Sequence, residues 1–418
     1  MIDYPHAVQQ LLARTGPLPP ETCALADACG RRLAGPIRSP VALPRFDHAA
    51  MDGYAFASGQ SLAAGSEHAV LGSQAAGDAL SGDSLRGGAL EIMTGARLPP
   101  GFDSVVAVER CETMQRHAHG VPARIRLLET SAPGGNVRLA GSDVAEDEAV
   151  LAAGTRLASP HIMLLAALGV ARVDVLRRPR VAVLCTGKEL QAELDRPLAP
   201  DRIYNSNGPY LAAALAAAGA QVVCRETVDD TPAHFAAALA RAVAAGVDLV
   251  ISTGAVSMGR HDFVPETLRD QGAHVLFRRV AIRPGRPLLA ATLAQGPLLL
   301  GLPGTPMAVA VGMRFFVVPV LRAMAGLGAE PVLRAWLDAP PPPRPGIRQF
   351  LRAGLQQRED GRLHASLLPR QQPFRILPFA QGDAWVVLPE SDGGQEPAGA
   401  VDVVGVEYGA PLRIGRPT

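Results

Sequence analysis

Lysine is almost missing from this chain: Lys188 is the only one, and arginine carries nearly all of the 40 basic residues. Net charge is missing too, because 39 acidic residues offset them and leave +1. A balance of that kind gives no electrostatic footprint for nucleic acid or for an anionic membrane. Cysteine is scarce, with Cys23, Cys29, Cys111, Cys185 and Cys224 forming no CxxC pair and an odd count. That fits a reducing compartment better than a disulfide framework, and the cytoplasm is expected. Aromatic residues make up only 4% although hydrophobic residues reach 48%, much of it alanine. Long apolar runs are absent as well: the stretches 162–173 and 235–251 are cut by Arg or Asp before the roughly 20 residues that a bilayer requires. With Asp3 and His6 at the start in place of a basic and then apolar leader, neither a signal peptide nor a membrane span is expected.

What the chain does have is length. Its 418 residues and 43.6 kDa are enough for several domains with sizeable cores. Asp3 and Pro5 read as an N-cap and first-turn pair, followed by Val8, Leu11 and Leu12 at helical spacing. Residues 17–44 are dense in turn formers. Residues 45–137 alternate in short segments such as 69–71 and 105–108, separated by Gly, Ser, Asp and Pro, and read as a small β module. A turn at 153–155 and a helix at 160–168 come next, as if the module were inserted between two halves of another domain. From 180 to about 326, strands at 181–185, 221–224, 247–252, 274–279 and 297–302 alternate with helices at 207–218, 231–245 and 305–325. That order predicts a doubly wound parallel sheet. A proline-rich joint at 339–345 leads to short strands at 384–388, 401–406 and 411–414, which predict a β-barrel-like domain. The expected boundaries are 1–44 with 138–178 for an N-terminal split domain, 45–137 for the inserted β domain, 179–328 for the α/β domain and 329–418 for the C-terminal domain.

Three turns in the α/β region stand out. Thr253-Gly254-Ala255-Val256-Ser257-Met258-Gly259-Arg260-His261-Asp262-Phe263 follows a buried strand, Ile282-Arg283-Pro284-Gly285-Arg286-Pro287 places two guanidinium groups beside a proline-fixed turn, and Gly301-Leu302-Pro303-Gly304-Thr305-Pro306 precedes a long apolar helix. Open α/β sheets bind ligands beyond the carboxyl ends of their strands. Backbone N–H groups of such loops cradle anions, so the three turns read as one phosphate pocket, with plain turn chemistry as the alternative.

In order along nearly the whole chain, Met51-Asp52-Gly53-Tyr54-Ala55, Met93-Thr94-Gly95-Ala96, Thr186-Gly187-Lys188-Glu189-Leu190, Gly254-Ala255-Val256-Ser257, Arg283-Pro284-Gly285-Arg286-Pro287 and Leu302-Pro303-Gly304-Thr305-Pro306 resemble the MoeA family of molybdopterin molybdenumtransferases, which includes the catalytic domain of gephyrin. The resemblance implies an elongated, four-domain homodimer with a central MogA-like, molybdopterin-binding α/β domain. It implies insertion of molybdenum from molybdate into adenylylated molybdopterin, with Mg²⁺ and release of AMP, and other proteins of molybdenum cofactor biosynthesis as further partners. Carried over by residue, Asp52, Glu189 and Asp262 are the catalytic candidates, and Glu189, Asp229 and Asp262 the metal-ligand candidates. Thr94, Asp143, Lys188, Ser257, Arg283, Arg286, Gly304 and Thr305 are the substrate-binding candidates, with Asp52, Thr94 and Asp143 coming from the other subunit. Arg283 and Arg286 stand where the family commonly has Lys and resemble its oxyanion-binding pair.

The chain departs from the family pattern at Lys188 for Asp, Ala255 for Gly, Ser142 for Glu and Ala308 for Ser, and around Pro373, Leu377 and Pro378, where relatives carry hydroxyls. Each candidate also has a structural reading: Asp52 as a turn anchor, Thr94 and Asp143 as turn residues, Asp229-Asp230 as a helix cap, Lys188 on a solvated face. His117, His119 and His261 show no ligand spacing. A member that binds molybdopterin or partner proteins without turnover is the alternative. Adenylyl transfer, which the α/β domain alone resembles, is disfavoured by the additional domains.

Overall fold

The computed structural model describes residues 1–79, 87–256, 263–294, 296–342, 344–390 and 399–415. The chain divides into two units, Thr22–Val175 and the combination of Met1–Glu21 with Leu176–Thr418.

In the Thr22–Val175 unit, alternation of apolar residues produces a six-stranded sheet. Its order is Ser104–Ala107, Gly53–Phe56, Ala89–Ile92, Glu67–Gln74, Pro122–Leu127 and Cys111–Arg116. Successive side chains of a strand leave on opposite faces. Thus Ala55, Leu90, Ile92 and Val105 build one core while Tyr54, Phe56, Ala89 and Val106 build another. Two short ribbons, His48–Ala49 with Val137–Arg138 and Ile37–Arg38 with Ala149–Leu151, carry the chain out of the sheet and back. Beyond them Leu33, Leu157, Leu165 and Val175 form a separate core around the helix Ser159–Ala167.

The other unit opens with the helix Tyr4–Leu12, capped by Asp3, whose carboxylate accepts the His6 N–H at 2.8 Å. Ala7 and Leu11 bury the inner face of this helix against the Val318–Met324 helix. Next comes a six-stranded sheet in the order Gln221–Val228, Arg180–Thr186, Leu249–Thr253, Leu298–Leu302, Leu289–Thr292, His274–Phe277. The first four strands are parallel, and helices cover both faces. Val181, Val183 and Ile251 pack with Leu211, Leu215 and the long Pro306–Met324 helix on one side; Ala182, Leu184 and Val250 pack with Phe235 and Leu239 on the other. The doubly wound sheet is therefore present, with one difference from expectation: its last two strands are antiparallel. Leu289–Thr292 is a strand outside the expected set. It forms a hairpin with Leu298–Leu302 through a turn in which Gly296 adopts φ 101° and the Leu293 N–H donates to the Pro297 carbonyl at 2.9 Å.

Pro306–Met324 is, among the described residues, the one helix long and apolar enough to cross a membrane, yet most of it lies buried inside the protein. The C-terminal strands close a barrel, because Arg348–Gln357 pairs with both Leu363–Leu367 and Ala384–Leu388, and Leu333–Leu337 and Ala400–Gly405 complete the ring. Residues 411–414, expected as a strand, are irregular; Pro411 offers no N–H, and only Gly415 bridges to Gln356. Ile282–Arg283 joins this barrel, parallel to Arg348 and Gln349, and not the α/β sheet.

Candidate functional site

Four parallel strands of the α/β sheet end level. Thr186 is in register with Val228, Cys185 with Thr253, and Thr253 with Leu302, so the loops after them open side by side at the carboxyl edge. Gly254 is the tightest point. Its N–H donates to the Leu302 carbonyl at 3.0 Å, its φ is 88°, and a Cβ there would lie 2.7 Å from both the carbonyl oxygen and Oγ1 of Thr186. Only glycine fits. Ala255 follows at φ 49°, so the backbone keeps a left-handed turn without the glycine that makes it easy. Gly304 lies against this loop: a Cβ on it would sit 3.7 Å from Gly254 Cα, an ordinary contact. Thr305 stands exposed at the N-cap of the long helix, its hydroxyl making no capping bond.

Asn205 and Asn207, which no motif marks, brace these loops. Asn207 Nδ2 donates to the Gly304 carbonyl at 2.8 Å, while Asn205 accepts the Gly208 N–H at 3.0 Å and donates to Thr227 Oγ1 at 2.9 Å. The available signal was a polar Asn-Ser-Asn run at the start of an otherwise apolar helix.

The 187–190 turn holds Glu189. Leu190 N–H donates to the Gly187 carbonyl at 3.1 Å, Gly187 N–H to Val228 at 3.1 Å, and Lys188 N–H to Asp230 Oδ2 at 3.2 Å. The Glu189 carboxylate folds back over the chain, since a Cβ on Gly187 would lie 2.8 Å from each of its oxygens. No other side chain donates to it among the described residues. Asp229 is differently placed: its Oδ1 accepts the Thr231 N–H at 3.2 Å and pairs with His234 Nδ1 at 2.8 Å. Bonds from Thr231 and then His234 hold its carboxyl below the ordinary value. The expected capping role is not met: the N-cap of the Pro232–Ala244 helix is Thr231, with no side-chain capping bond, and Asp229 instead closes the turn that leads into it. Lys188 is exposed. Ser257 and Asp262 lie outside the described residues, among which no cluster of three or more His, Cys, Asp or Glu forms a ready-made metal site.

Arg283 and Arg286 diverge. Arg286 Nε donates to Met1 Sδ at 3.3 Å. Arg283 lies on the strand beside Gln349 and lines a pocket of about 520 Å³, bounded by the proline-rich joint and by Gln371, Gln372 and Pro373. The turn between the two arginines packs on the start of the long helix: a Cβ on Gly285 would be 3.9 Å from Ala308 Cα. Met307 N–H, one of the first amides of that helix, donates to the Pro373 carbonyl at 3.0 Å. Pro373 therefore supplies a backbone acceptor to the start of this helix.

In the Thr22–Val175 unit, Asp52 Oδ1 accepts both the N–H and the Oγ1–H of Thr94, each at 2.7 Å. These two donors hold the Asp52 carboxyl below its ordinary value. The neighbouring segments are knitted to theirs: Gly95 N–H donates to Ala49, His48 is in register with Arg138, and Asp143 N–H donates to Leu43 at 3.0 Å. Asp52, Thr94 and Asp143 thus occupy one connected group of loops, and all three are exposed. Met51 and Met93 beside them are each 37% exposed.

Three family models match the chain in order: the MoeA N-terminal region (domain I and II) over residues 2–169, a probable molybdopterin binding domain over 182–323, and the MoeA C-terminal region (domain IV) over 334–405. The sequence is 37% identical over 412 residues to molybdopterin molybdenumtransferase 2 of Mycobacterium tuberculosis, covering 94% of both chains. It is 32% identical over 399 residues to molybdopterin molybdenumtransferase of Synechococcus elongatus, covering 93% of this chain and 96% of the relative. Among solved structures, a molybdopterin biosynthesis moeA protein of Pyrococcus horikoshii is similar with a TM-score of 0.78 at 27% identity, covering 97% of this chain and 99% of that one.

Proposed function

This chain belongs to the MoeA family, the molybdopterin molybdenumtransferases of molybdenum cofactor biosynthesis, and we propose that it inserts molybdenum from molybdate into adenylylated molybdopterin with Mg²⁺-dependent release of AMP. The observation that carries the reading is the level carboxyl edge of the four parallel strands, where the Gly254 and Gly304 loops touch and the Glu189 carboxylate has, among the described residues, no donor from another side chain. Backbone loops at such an edge suit phosphates. We assign Ser257, Gly304, Thr305 and Lys188 to holding the nucleotide and pterin phosphates, and Arg283 to the oxyanion.

The Glu189 carboxylate, which accepts from no other side chain among the described residues, suits Mg²⁺, an ion that takes much of its shell from water and substrate phosphates, so that a few carboxylates on separate loops suffice. We assign Glu189, Asp229 and Asp262 to holding it. When bound it would neutralise charge on the anhydride. Cleaving that anhydride calls for charge stabilisation more than for a protein nucleophile. The work of the chain is then to orient the phosphates over Glu189 and to offer cations to the anionic groups.

We assign Asp52, Thr94 and Asp143 to the reaction of a second copy in a homodimer. Their exposure, with Met51 and Met93 beside them, supports that role. Mixing Asp52→Asn with Glu189→Gln protein should restore turnover if one site draws on two copies; no restoration in a stable mixed dimer would place both residues in one copy's site. A cytoplasmic setting is consistent with the cysteines, all five of which are free.

The deciding experiment measures AMP release from adenylylated molybdopterin by the purified protein with Mg²⁺, with and without molybdate. Molybdate-dependent release is expected. Tight binding with no release would overturn the insertion reading and leave a binding role, which the departures at Ala308 and Pro373 would then explain.

A further inference from the structure

The long helix 306–324 starts with few amides to spare. The first N–H groups of a helix have no partner inside it. Here Pro306 has no N–H at all, the Met307 N–H goes to the Pro373 carbonyl at 3.0 Å, and those of Ala308 and Val309 go to the Thr305 carbonyl at 3.0 and 3.1 Å. What remains at this helix end is the Thr305 N–H. Among the described residues it makes no hydrogen bond, and Thr305 is exposed.

The preceding carbonyl decides which way that N–H faces. The Gly304–Thr305 peptide bond is trans, so its N–H leaves on the side opposite the Gly304 oxygen. Asn207 Nδ2 holds this oxygen at 2.8 Å, from a side chain only 9% exposed. Nothing else fixes the turn so directly: Gly304 is exposed, and a Cβ on it would meet only Gly254 Cα, at 3.7 Å. A glycine peptide so loosely surrounded could face either way. The Asn207 amide selects the orientation that turns the Thr305 N–H away from the helix Asn207–Ala217.

Asn207 reaches out from a platform that is tied to the neighbouring loops. Ile203 N–H donates to the Glu189 carbonyl and Asn205 N–H to the Gln191 carbonyl, both at 2.8 Å. The Asn205 side chain accepts the Gly208 N–H and donates to Thr227 Oγ1, two residues before Asp229. The stretch 203–207 therefore sets the Gly304 turn in register with the Glu189 turn.

We infer that Asn207 is a positioning residue: by fixing the Gly304 carbonyl it presents the Thr305 N–H to a phosphate oxygen of the adenylylated substrate. The inference rests on the assignment of Gly304 and Thr305 to phosphate and names the side chain through which that turn works. A backbone amide at a helix start gives a phosphate a charge-assisted bond. Because the oxyanion is assigned to Arg283, the effect of Asn207 falls on one substrate and not on the other.

Asn207→Leu keeps the approximate shape and removes the donor, and Asn207→Ala serves as a second variant. Wild type and variants are melted, titrated calorimetrically with AMP, and assayed for AMP release with adenylylated molybdopterin and molybdate varied in turn. Both variants should raise the AMP Kd and the KM for adenylylated molybdopterin about tenfold, the worth of one charge-assisted bond, with the molybdate KM unchanged. A packing role predicts instead that Asn207→Leu matches wild type, or that both KM values move together with the melting temperature; either result overturns the inference. Thr305→Pro deletes the N–H itself at a φ of −73° that suits proline. In that background Asn207→Leu should add nothing to the AMP Kd, and additive losses would show that Asn207 acts elsewhere. No AMP binding by wild-type protein would overturn the phosphate reading of this edge together with the inference, whereas AMP binding that both Asn207 variants leave unchanged would overturn the inference alone.

Discussion

Asp52 and Glu189 are both exposed carboxylates inside glycine-bearing motifs, and their surroundings are opposite. Asp52 is already satisfied: two donors from Thr94 meet one oxygen, and the backbone around them is cross-linked by further bonds. Glu189 has a turn that positions it and, among the described residues, no donor from another side chain to complete it. A carboxylate that the fold completes behaves as a fixed part of the surface, whereas one that the fold leaves open has room for a cation and its waters. The sharpest way to break the contrast is Glu189→Gln, which keeps shape and removes charge. We expect turnover to fall about a hundredfold or more with no change in melting temperature, because no folded-state partner is lost. Unchanged turnover would remove Glu189 from the chemistry.

The glycines of the two motifs sharpen it. A Cβ on Gly53 would lie 2.0 Å from the Val106 carbonyl oxygen and 2.9 Å from its carbon, and backbone in mid-sheet cannot yield. Gly53→Ala should therefore cost about 2–3 kcal/mol or more in the Thr22–Val175 unit, seen as a lowered denaturation midpoint. A Cβ on Gly187 would meet only the end of the Glu189 side chain, at 2.8 Å, which can swing away. Gly187→Ala should cost about 1 kcal/mol but lower turnover about tenfold, since a 1 Å displacement of a working group is expensive. Equal stability losses in the two variants would erase the distinction.

Much of this was legible in the sequence. The buried strand at Leu249–Thr253, the long helix after Pro306 and the barrel strands near Trp385 follow from apolar run length and turn residues, which are local. The motif glycines were also legible, although the sequence could not say that Gly53 answers a carbonyl on a strand more than fifty residues away. What escaped is non-local. Leu289–Thr292 is too short and Ala-rich to declare a strand; it becomes one by pairing across the Gly296 turn. Arg283 and Arg286 are three residues apart and read as a pair, yet Arg283 is placed by its pairing with Gln349 on the barrel. Gln349, the residue in register with it, therefore stayed invisible as an amide in an ordinary strand. Asp229 shows the opposite case: an acid before a helix had both a capping and a ligand reading, yet Thr231 takes the N-cap position and Asp229 is held by the turn before it and by His234.

The smallest expected effect tests how complete Asp52 is. Its carboxyl sits below the ordinary Asp value because Thr94 donates to it from backbone and hydroxyl, so the charged form is favoured in the folded state. A depressed pKa adds stability that is fully present above the unfolded value of about 3.9 and is lost as pH falls through the folded one. Thr94→Val removes the hydroxyl and keeps the backbone donor, so the Asp52 titration, followed by carboxyl-carbon NMR, should move up toward the ordinary value without reaching it. Acid unfolding of the Thr22–Val175 unit should shift slightly toward higher pH in the same variant. Full return to the ordinary value would mean that the hydroxyl alone holds Asp52, and that the backbone amide is open to a ligand after all, as the surroundings of Glu189 are.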